Sequence, residues 1–182
     1  MAVRLLGVAA VLAVVAMYCV YTARRLDGLH TRKDVAAAAF DAQLRLRCDA
    51  VLALARELPG ATGVELRMLA EATTHVSGLD HDREVVENAL SVALTRLSLE
   101  HPKVFLSPSA AAVEVHDDAL RAAIARRFYN DTVRDALVVR DRMAVRWLGL
   151  AGRAPHPAYF EMHDEELPTP AISVATRPSI EL

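Results

Sequence analysis

The sequence has few cysteines, few lysines and no long run of one charge. Cys19 and Cys48 are the only cysteines and lie in different segments, so the sequence provides no disulfide framework. The formal net charge is −2, and basic and acidic residues are interspersed, so no basic stripe is available to follow nucleic-acid phosphates. We therefore expect no nucleic-acid partner.

Motifs for catalysis or metal binding are also missing. Acidic residues follow His116 and His163, but no histidine has the spacing of a zinc site. The group 163–166 has the composition of a solvated acidic segment. No glycine-rich phosphate loop, nucleophile elbow or catalytic triad order is present. We predict a protein without enzymatic activity, cofactor or metal.

The N-terminal region carries the strongest signal. Leu5 to Ala23 is a run of 19 residues without a charge. As a helix this run is about 28 Å long, close to the roughly 30 Å hydrocarbon core of a bilayer. A cleaved signal peptide has an apolar region of only about 7 to 15 residues and small residues at its end. Because this run is longer and ends near the bulky Tyr18 and Tyr21, we predict a retained membrane span.

The distribution of positive charge sets the expected orientation. Only Arg4 and the α-amino group precede the span, whereas the basic residues that follow it closely are Arg24, Arg25, Arg32 and Lys33. By the positive-inside rule the C-terminal domain is cytoplasmic. We therefore predict a single-pass protein of the plasma membrane, with the lipid bilayer as one partner.

Helical periodicity dominates the rest of the chain. Apolar residues recur every three or four positions over residues 34–58, where Pro59-Gly60 ends the pattern. Shorter helices are predicted over 64–76 and 80–98, the second capped by an aspartate. Residues 101–112 are predicted to be a connector, and residues 117–150 the longest helix. No β-type alternation of useful length is present.

These patterns predict an all-α fold. It consists of an N-terminal transmembrane helix in residues 1–26 and an antiparallel three- or four-helix bundle in residues 27–152. The proline- and acid-rich segment 153–182 is predicted to be largely disordered after about residue 166. The predicted packing seam of the longest helix consists of Ala122, Ala125, Tyr129, Thr132, Ala136, Val139, Met143, Trp147 and Leu150.

Several short motifs resemble those of the LemA family of bacterial membrane proteins. Residues 125–133, ARRFYNDTV, resemble the AR-x-x-YN-x-x-V signature on the last bundle helix of that family. Residues 43–47 are similar to its QL-x-x-R motif, and residues 159–161 to the aromatic-acid motif that closes its domains. His101-Pro102 stands where the family tends to have Tyr-Pro. The resemblance implies a membrane-anchored antiparallel helical bundle with no established enzymatic activity.

Two positions depart from the family pattern. Leu137 stands where a second asparagine is usual, and Ala119 where a glutamate is expected. If those polar groups serve a shared function, this chain has lost or moved it. If they only fix packing, the changes are compensated elsewhere in the core.

The candidate binding residues are Arg126, Tyr129, Asn130 and Arg134. On a helix, Asn130 shares a face with Arg126 and Arg134, four residues away on either side. In one interpretation this face binds a small anionic ligand. In the other, Asn130 fixes helix register, and Tyr129 is a core aromatic residue with its hydroxyl hydrogen-bonded at the edge.

Two functional hypotheses follow. The leading one is a scaffold or assembly module whose helical bundle forms a homo-oligomer or binds other membrane proteins. It is motivated by the span, the helical domain and the missing catalytic motifs. The alternative is a membrane-tethered sensor that binds a small anion through Arg126, Asn130 and Arg134.

Overall fold

The computed structural model describes residues 1–106, 109–142, 156–165 and 167–168. Within these ranges every regular element is an α-helix, which confirms the predicted all-α class. In chain order the helices are α1 (Ala2–Glu57), α2 (Gly60–His75), α3 (His81–Glu100), α4 (Pro102–Leu106) and α5 (Ala110–Arg140). The predicted helical turns over 143–150, the stop at Gly152 and nearly all of the segment predicted to be disordered lie outside the described residues.

The longest helix is α1, not the last helix as the sequence analysis predicted. It continues without interruption from the apolar run into the amphipathic pattern. The intervening residues 24–33 contain no proline and a single glycine, Gly28, so no residue there terminates a helix. The predicted span and the predicted first domain helix are therefore one element.

The apolar run lies at the start of α1. In the described part of the chain, α1 is the one helix that is long and apolar enough to cross a membrane by length and composition. Only 6% of its most apolar window is buried. The core helix of a soluble protein would instead be mostly buried, so the apolar run of α1 differs from a core helix in its exposure.

A tight turn joins α1 to α2, at the Pro59-Gly60 break predicted from the sequence. Gly60 has φ +71°, in the left-handed region that glycine adopts most readily. Gly63 is tightly packed: a Cβ added there would lie 2.7 Å from the carbonyl oxygen of Ala55 and closer still to that of Leu58. The absence of a side chain at this position thus allows the backbones of α1 and α2 to approach each other.

The predicted start of α3 is confirmed. Gly78, with φ +93°, lies in the break between α2 and α3. Asp80 is the N-cap, and its carboxylate accepts a hydrogen bond of 3.1 Å from the backbone N–H of Arg83. This bond satisfies one of the free N–H groups of the first turn.

The prediction of a connector over residues 101–112 was wrong. Pro102 begins the short helix α4, since a proline at the first helical position has a suitable φ and needs no hydrogen-bond partner. The alanines from Ala110 onward are strong helix formers and begin α5 seven residues earlier than predicted. The backbone N–H of Ala112 donates a 3.4 Å bond to the Ser109 hydroxyl at this start.

The chain forms two compact units, Met1–Ala36 with Tyr129–Tyr159, and Ala37–Phe128 with Phe160–Leu182. All five helices contribute to the hydrophobic core of the second unit. Its members include Val51, Leu54, Leu66, Ala70, Leu90, Leu94, Phe105 and Val115. The first unit contains a smaller cluster in which Leu26 and Val139 are buried and Leu29 is partly buried.

The predicted seam of α5 is buried along most of its described length. Its buried members are Ala122, Tyr129, Ala136 and Val139. Val133 is also fully buried, although it was not included in the predicted seam. The last three predicted seam residues, Met143, Trp147 and Leu150, lie outside the described residues.

Candidate functional site

The predicted arginines of the polar face each have an acidic partner within their own unit. In the second unit, Arg126 Nη2 lies 2.7 Å from Asp164 Oδ1. In the first unit, Arg134 Nη2 lies 3.1 Å from Asp131 Oδ1, and both side chains are exposed. Asn130 is partly buried. The two interpretations of Asn130, ligand binding and helix register, both stay predictions.

Tyr129 is packed in the first unit. Its side chain is buried, and its hydroxyl donates a 3.1 Å hydrogen bond to the carbonyl oxygen of Ala158. This environment is the one expected for a packed aromatic residue with a satisfied polar end. The phenol has the role of a structural hydrogen-bond donor in this arrangement.

The most unusual polar feature of the second unit is a group of four charged residues and one serine whose side chains are buried. We call it the buried ion network, and its members are Arg47, Arg83, Glu87, Ser91 and Glu165. The guanidinium of Arg47 is completely buried. It donates from Nη1 to Glu87 Oε2 at 2.6 Å and from Nη2 to Ser91 Oγ at 2.8 Å. The same Nη2 also donates to Glu165 Oε1. One arginine thus contacts α3 and the C-terminal segment.

Arg83 occupies the other side of Glu87. Its Nε donates to Glu87 Oε1 at 2.8 Å, and its Nη1 donates to the carbonyl oxygen of Val76 at 2.7 Å. Both carboxylate oxygens of Glu87 therefore accept bonds from arginines, which is the strong type of charge-assisted hydrogen bond. The formal charges of the network, two arginines and two glutamates, cancel.

The environment of Glu87 has opposing effects on its pKa. Burial raises the pKa of this carboxyl group, because desolvation disfavours the charged form, while Arg47 and Arg83 act to lower it. Glu165 adds a smaller upward effect through its own negative charge. Burial has the largest effect, so the pKa of Glu87 is raised although both arginines oppose this change.

The C-terminal segment around Glu161 lies against α3 and is held by its backbone. The Asn88 side chain donates to the carbonyl oxygen of Glu161 at 3.0 Å and accepts from the backbone N–H of His163 at 2.7 Å. Glu84 Oε1 accepts a 2.8 Å bond from the backbone N–H of Glu161. These three bonds fix the position of the segment independently of its side chains.

Side chains on alternate positions of this segment are buried. The Phe160 ring meets the Phe40 ring edge-to-face, with centroids 5.1 Å apart and an interplanar angle of 82°. Met162 is also buried. The prediction of a solvated acidic group at 163–166 was wrong for Glu165, whose side chain is only 2% exposed. Its carboxylate is buried because it forms an ion pair with the buried guanidinium of Arg47. Glu166 lies outside the described residues.

The buried ion network was not predicted from the sequence, although a signal for it exists. Arg47 lies three residues after Leu44 and four before Val51, so it occupies the apolar stripe of α1. Glu87 lies three residues before Leu90 on the buried face of α3 in the same way. A charged residue at a core position of a helix predicts a buried partner of opposite charge. The pattern does not specify which other element carries that partner.

The described part of the chain is thus all-helical, with one candidate membrane-spanning helix and a buried, charge-balanced network in the second unit. Within the described ranges, no group of three or more His, Cys, Asp or Glu residues is placed to hold a metal ion. No protein-family model matches the chain, and neither does any curated protein or solved structure. The LemA resemblance therefore depends on the motifs quoted above.

Proposed function

We propose that this chain is a membrane-anchored scaffold or assembly module that associates through its helical domain with a second copy or with another membrane protein. The observation that carries the proposal is an exposed apolar stripe on α5, formed by Leu120, Ile124 and Phe128. These residues are 53%, 54% and 66% exposed. They lie on the side of α5 opposite Val115 and Ala122, which are fully buried.

The exposed stripe has the geometry of a helix-packing surface. Residues four apart are neighbours on one helix face, so the three side chains form a continuous ridge. A surface helix normally has one apolar face, which packs on its own domain. A second apolar face favours a second neighbour, and contiguous exposed apolar patches mark interaction sites in soluble domains. An amphipathic helix is the partner that fits such a ridge.

The membrane anchor is the second part of the proposal. Residues 5–23 would span the plasma membrane, with the remainder of the chain in the cytoplasm. The length of the apolar run, its exposure and the excess of positive charge after it support this topology. Anchoring restricts the domain to the membrane surface, which raises its effective concentration for other membrane proteins.

The third part is a divergent LemA-like antiparallel bundle of three or four helices. Two of the motif residues that carry the resemblance have clear structural roles. Arg47 of the QL-x-x-R motif is the centre of the buried ion network, and Phe160 of the aromatic-acid motif packs on Phe40. Residues with such roles are those that a shared fold would retain.

The anion-sensor alternative has less support. An anion at Arg126 would have to displace the Asp164 carboxylate, which is already 2.7 Å away. The proposed module is non-enzymatic and needs no cofactor.

Chemical crosslinking of the full chain in native membranes tests the scaffold proposal. We expect a discrete homo-oligomer or one reproducible partner, and we expect Ile124→Asp to abolish it because a charge would be buried in the interface. Val92→Asp is the matched control, since Val92 is an exposed valine of α3. A uniformly monomeric chain without partners, or equal loss in both variants, would contradict the proposal.

A further inference from the structure

A basic cavity lies in the first unit at the C-terminal end of the apolar run. Its volume is about 710 Å³, within the usual range for small-molecule sites. The α1 side of its lining includes Tyr21, Arg24, Arg25 and Arg32. The α5 side consists of Asp135, Val138 and Val139. The cavity thus combines a polar, positively charged wall with an apolar one.

The charges around this cavity are unbalanced. Three guanidinium groups line it, and Asp135 is the one acidic residue of its described lining. In the part of the chain that the structure describes, none of the three arginines is within ion-pair distance of a carboxylate. A net positive cavity of this kind attracts an anion.

The position of the cavity along α1 indicates the class of anion. Arg24 and Arg25 directly follow the apolar run, at the level where phospholipid headgroups lie when the run spans a bilayer. Tyr21 is a residue type enriched at this interface. Arg32 follows eight residues after Arg24, which is about 12 Å further along the helix. The arginines therefore extend from the headgroup level into the aqueous side.

From this geometry we infer that the cavity binds the headgroup of an anionic phospholipid. Guanidinium groups bind phosphate oxygens in a bidentate manner, so Arg24 and Arg25 hold the phosphate, and Arg32 adds positive charge on the aqueous side of the headgroup. The exposed apolar surface of the run accommodates the acyl chains. Free phosphate shares the headgroup chemistry but would gain nothing from that apolar surface. The inference depends on the proposed span and is independent of the exposed stripe on α5.

Native mass spectrometry of the detergent-solubilised full chain, titrated with phosphatidylglycerol or phosphatidylcholine, tests this site. We expect preferential binding of phosphatidylglycerol. Arg32→Gln should weaken it about fivefold, since a basic residue near a membrane surface contributes about 1 kcal/mol. Arg24 and Arg25 are unsuitable for substitution because they also orient the span.

Lys33→Gln is the matched control. It removes the same charge from the neighbouring residue, which does not line the cavity and instead lies 2.9 Å from Asp34. Phosphatidylglycerol binding should be unchanged in this variant. Asp135→Asn, which removes the acidic group of the lining, should strengthen binding. Together these variants separate a defined site from general attraction of a basic segment.

Four results would overturn the inference. Equal losses in Arg32→Gln and Lys33→Gln would indicate diffuse electrostatic attraction. Equal binding of the two lipids would remove the anionic preference. Displacement of phosphatidylglycerol by millimolar inorganic phosphate would identify the site as one for free phosphate. Failure of the chain to enter lipid nanodiscs would remove the proposed span and this site together, whereas crosslinking would still test the proposed interface on α5.

Discussion

Arg47 and Glu165 form a buried ion pair although 118 residues of sequence separate them. Both side chains are almost inaccessible to solvent, and Arg47 simultaneously binds Glu87 and Ser91. The pair therefore connects α1 to the C-terminal segment. Removing either partner should lower the free energy of unfolding, because it leaves the other charge buried and uncompensated.

Removal of Glu165 should be strongly destabilising. Glu165→Ala leaves Arg47 buried with one carboxylate fewer, and we expect a loss of about 3 to 5 kcal/mol in the free energy of unfolding. Glu161→Ala removes an exposed carboxylate from the same segment and should change stability by less than about 0.5 kcal/mol. Chemical denaturation of the detergent-solubilised chain measures both values. Similar effects in the two variants would refute the structural role of the pair.

The contact between Phe40 and Phe160 should be measurable as a coupling. Each Phe→Ala substitution should cost about 3 to 5 kcal/mol, because both rings are fully buried. In a double-mutant cycle the edge-to-face geometry should give a coupling of about 0.5 to 1.5 kcal/mol. Additive single losses, with no coupling, would show that the C-terminal segment does not pack on α1 as described.

Tyr129 and Arg127 test the seam of α5. Tyr129→Ala should cost about 3 to 5 kcal/mol as a buried aromatic residue. Tyr129→Phe should cost about 0.5 to 1.5 kcal/mol, since it keeps the ring and removes the hydroxyl that bonds to Ala158. Arg127, whose side chain is 72% exposed, should tolerate alanine within about 0.5 kcal/mol. Equal, negligible effects at Tyr129 and Arg127 would place the seam on another face.

The Cys48 thiol should be unreactive in the folded protein. Cys48 is buried, its thiol donates to the carbonyl oxygen of Ala70 at 3.2 Å, and burial raises its pKa. In a Cys19→Ser background, a thiol reagent at pH 8 should therefore modify Cys48 slowly until the protein unfolds, because little thiolate is present. Rapid modification in the native state would contradict this burial.

The raised pKa of Cys48 also predicts a pH dependence. Its contribution to stability is complete below the pKa of the unfolded thiol and is lost as the pH rises through the higher folded value. The free energy of unfolding should therefore decline at alkaline pH, and Cys48→Ala should reduce that decline. Denaturation curves measured at a series of pH values would detect the difference. The same slope in both proteins would exclude the thiol as its source.

Local patterns predicted much of the fold. Periodicity placed Phe40, Leu44 and Val51 on the apolar face of α1, and all three are buried. Side-chain chemistry indicated Asp80 or Asp82 as the cap of α3, and the structure has Asp80 in that role. The span and the first domain helix were predicted as separate elements, whereas α1 runs through both because residues 24–33 between them are compatible with a helix. Composition alone could not exclude either arrangement.

The polar sites were harder to predict, for a physical reason. Arg47 and Glu165 are complementary only in three dimensions, and an isolated charged residue is usually assigned to the surface. The basic cavity similarly joins Arg32 and Asp135, which are far apart in sequence. By contrast, the environment of Tyr129 followed from its position in a seam of spacing three and four.

The order of synthesis has a consequence for Arg47. At about 5 to 20 residues per second, the ribosome needs roughly 6 to 24 s to add the 118 residues between Arg47 and Glu165. During that interval the apolar N-terminal run is already available for membrane insertion, while the core of the second unit lacks Phe160 and the second carboxylate of its ion network. The domain therefore completes its folding only after the apolar run and most of the helices have been made. A nascent chain stalled before Phe160 should accordingly be digested by protease more readily than the finished protein.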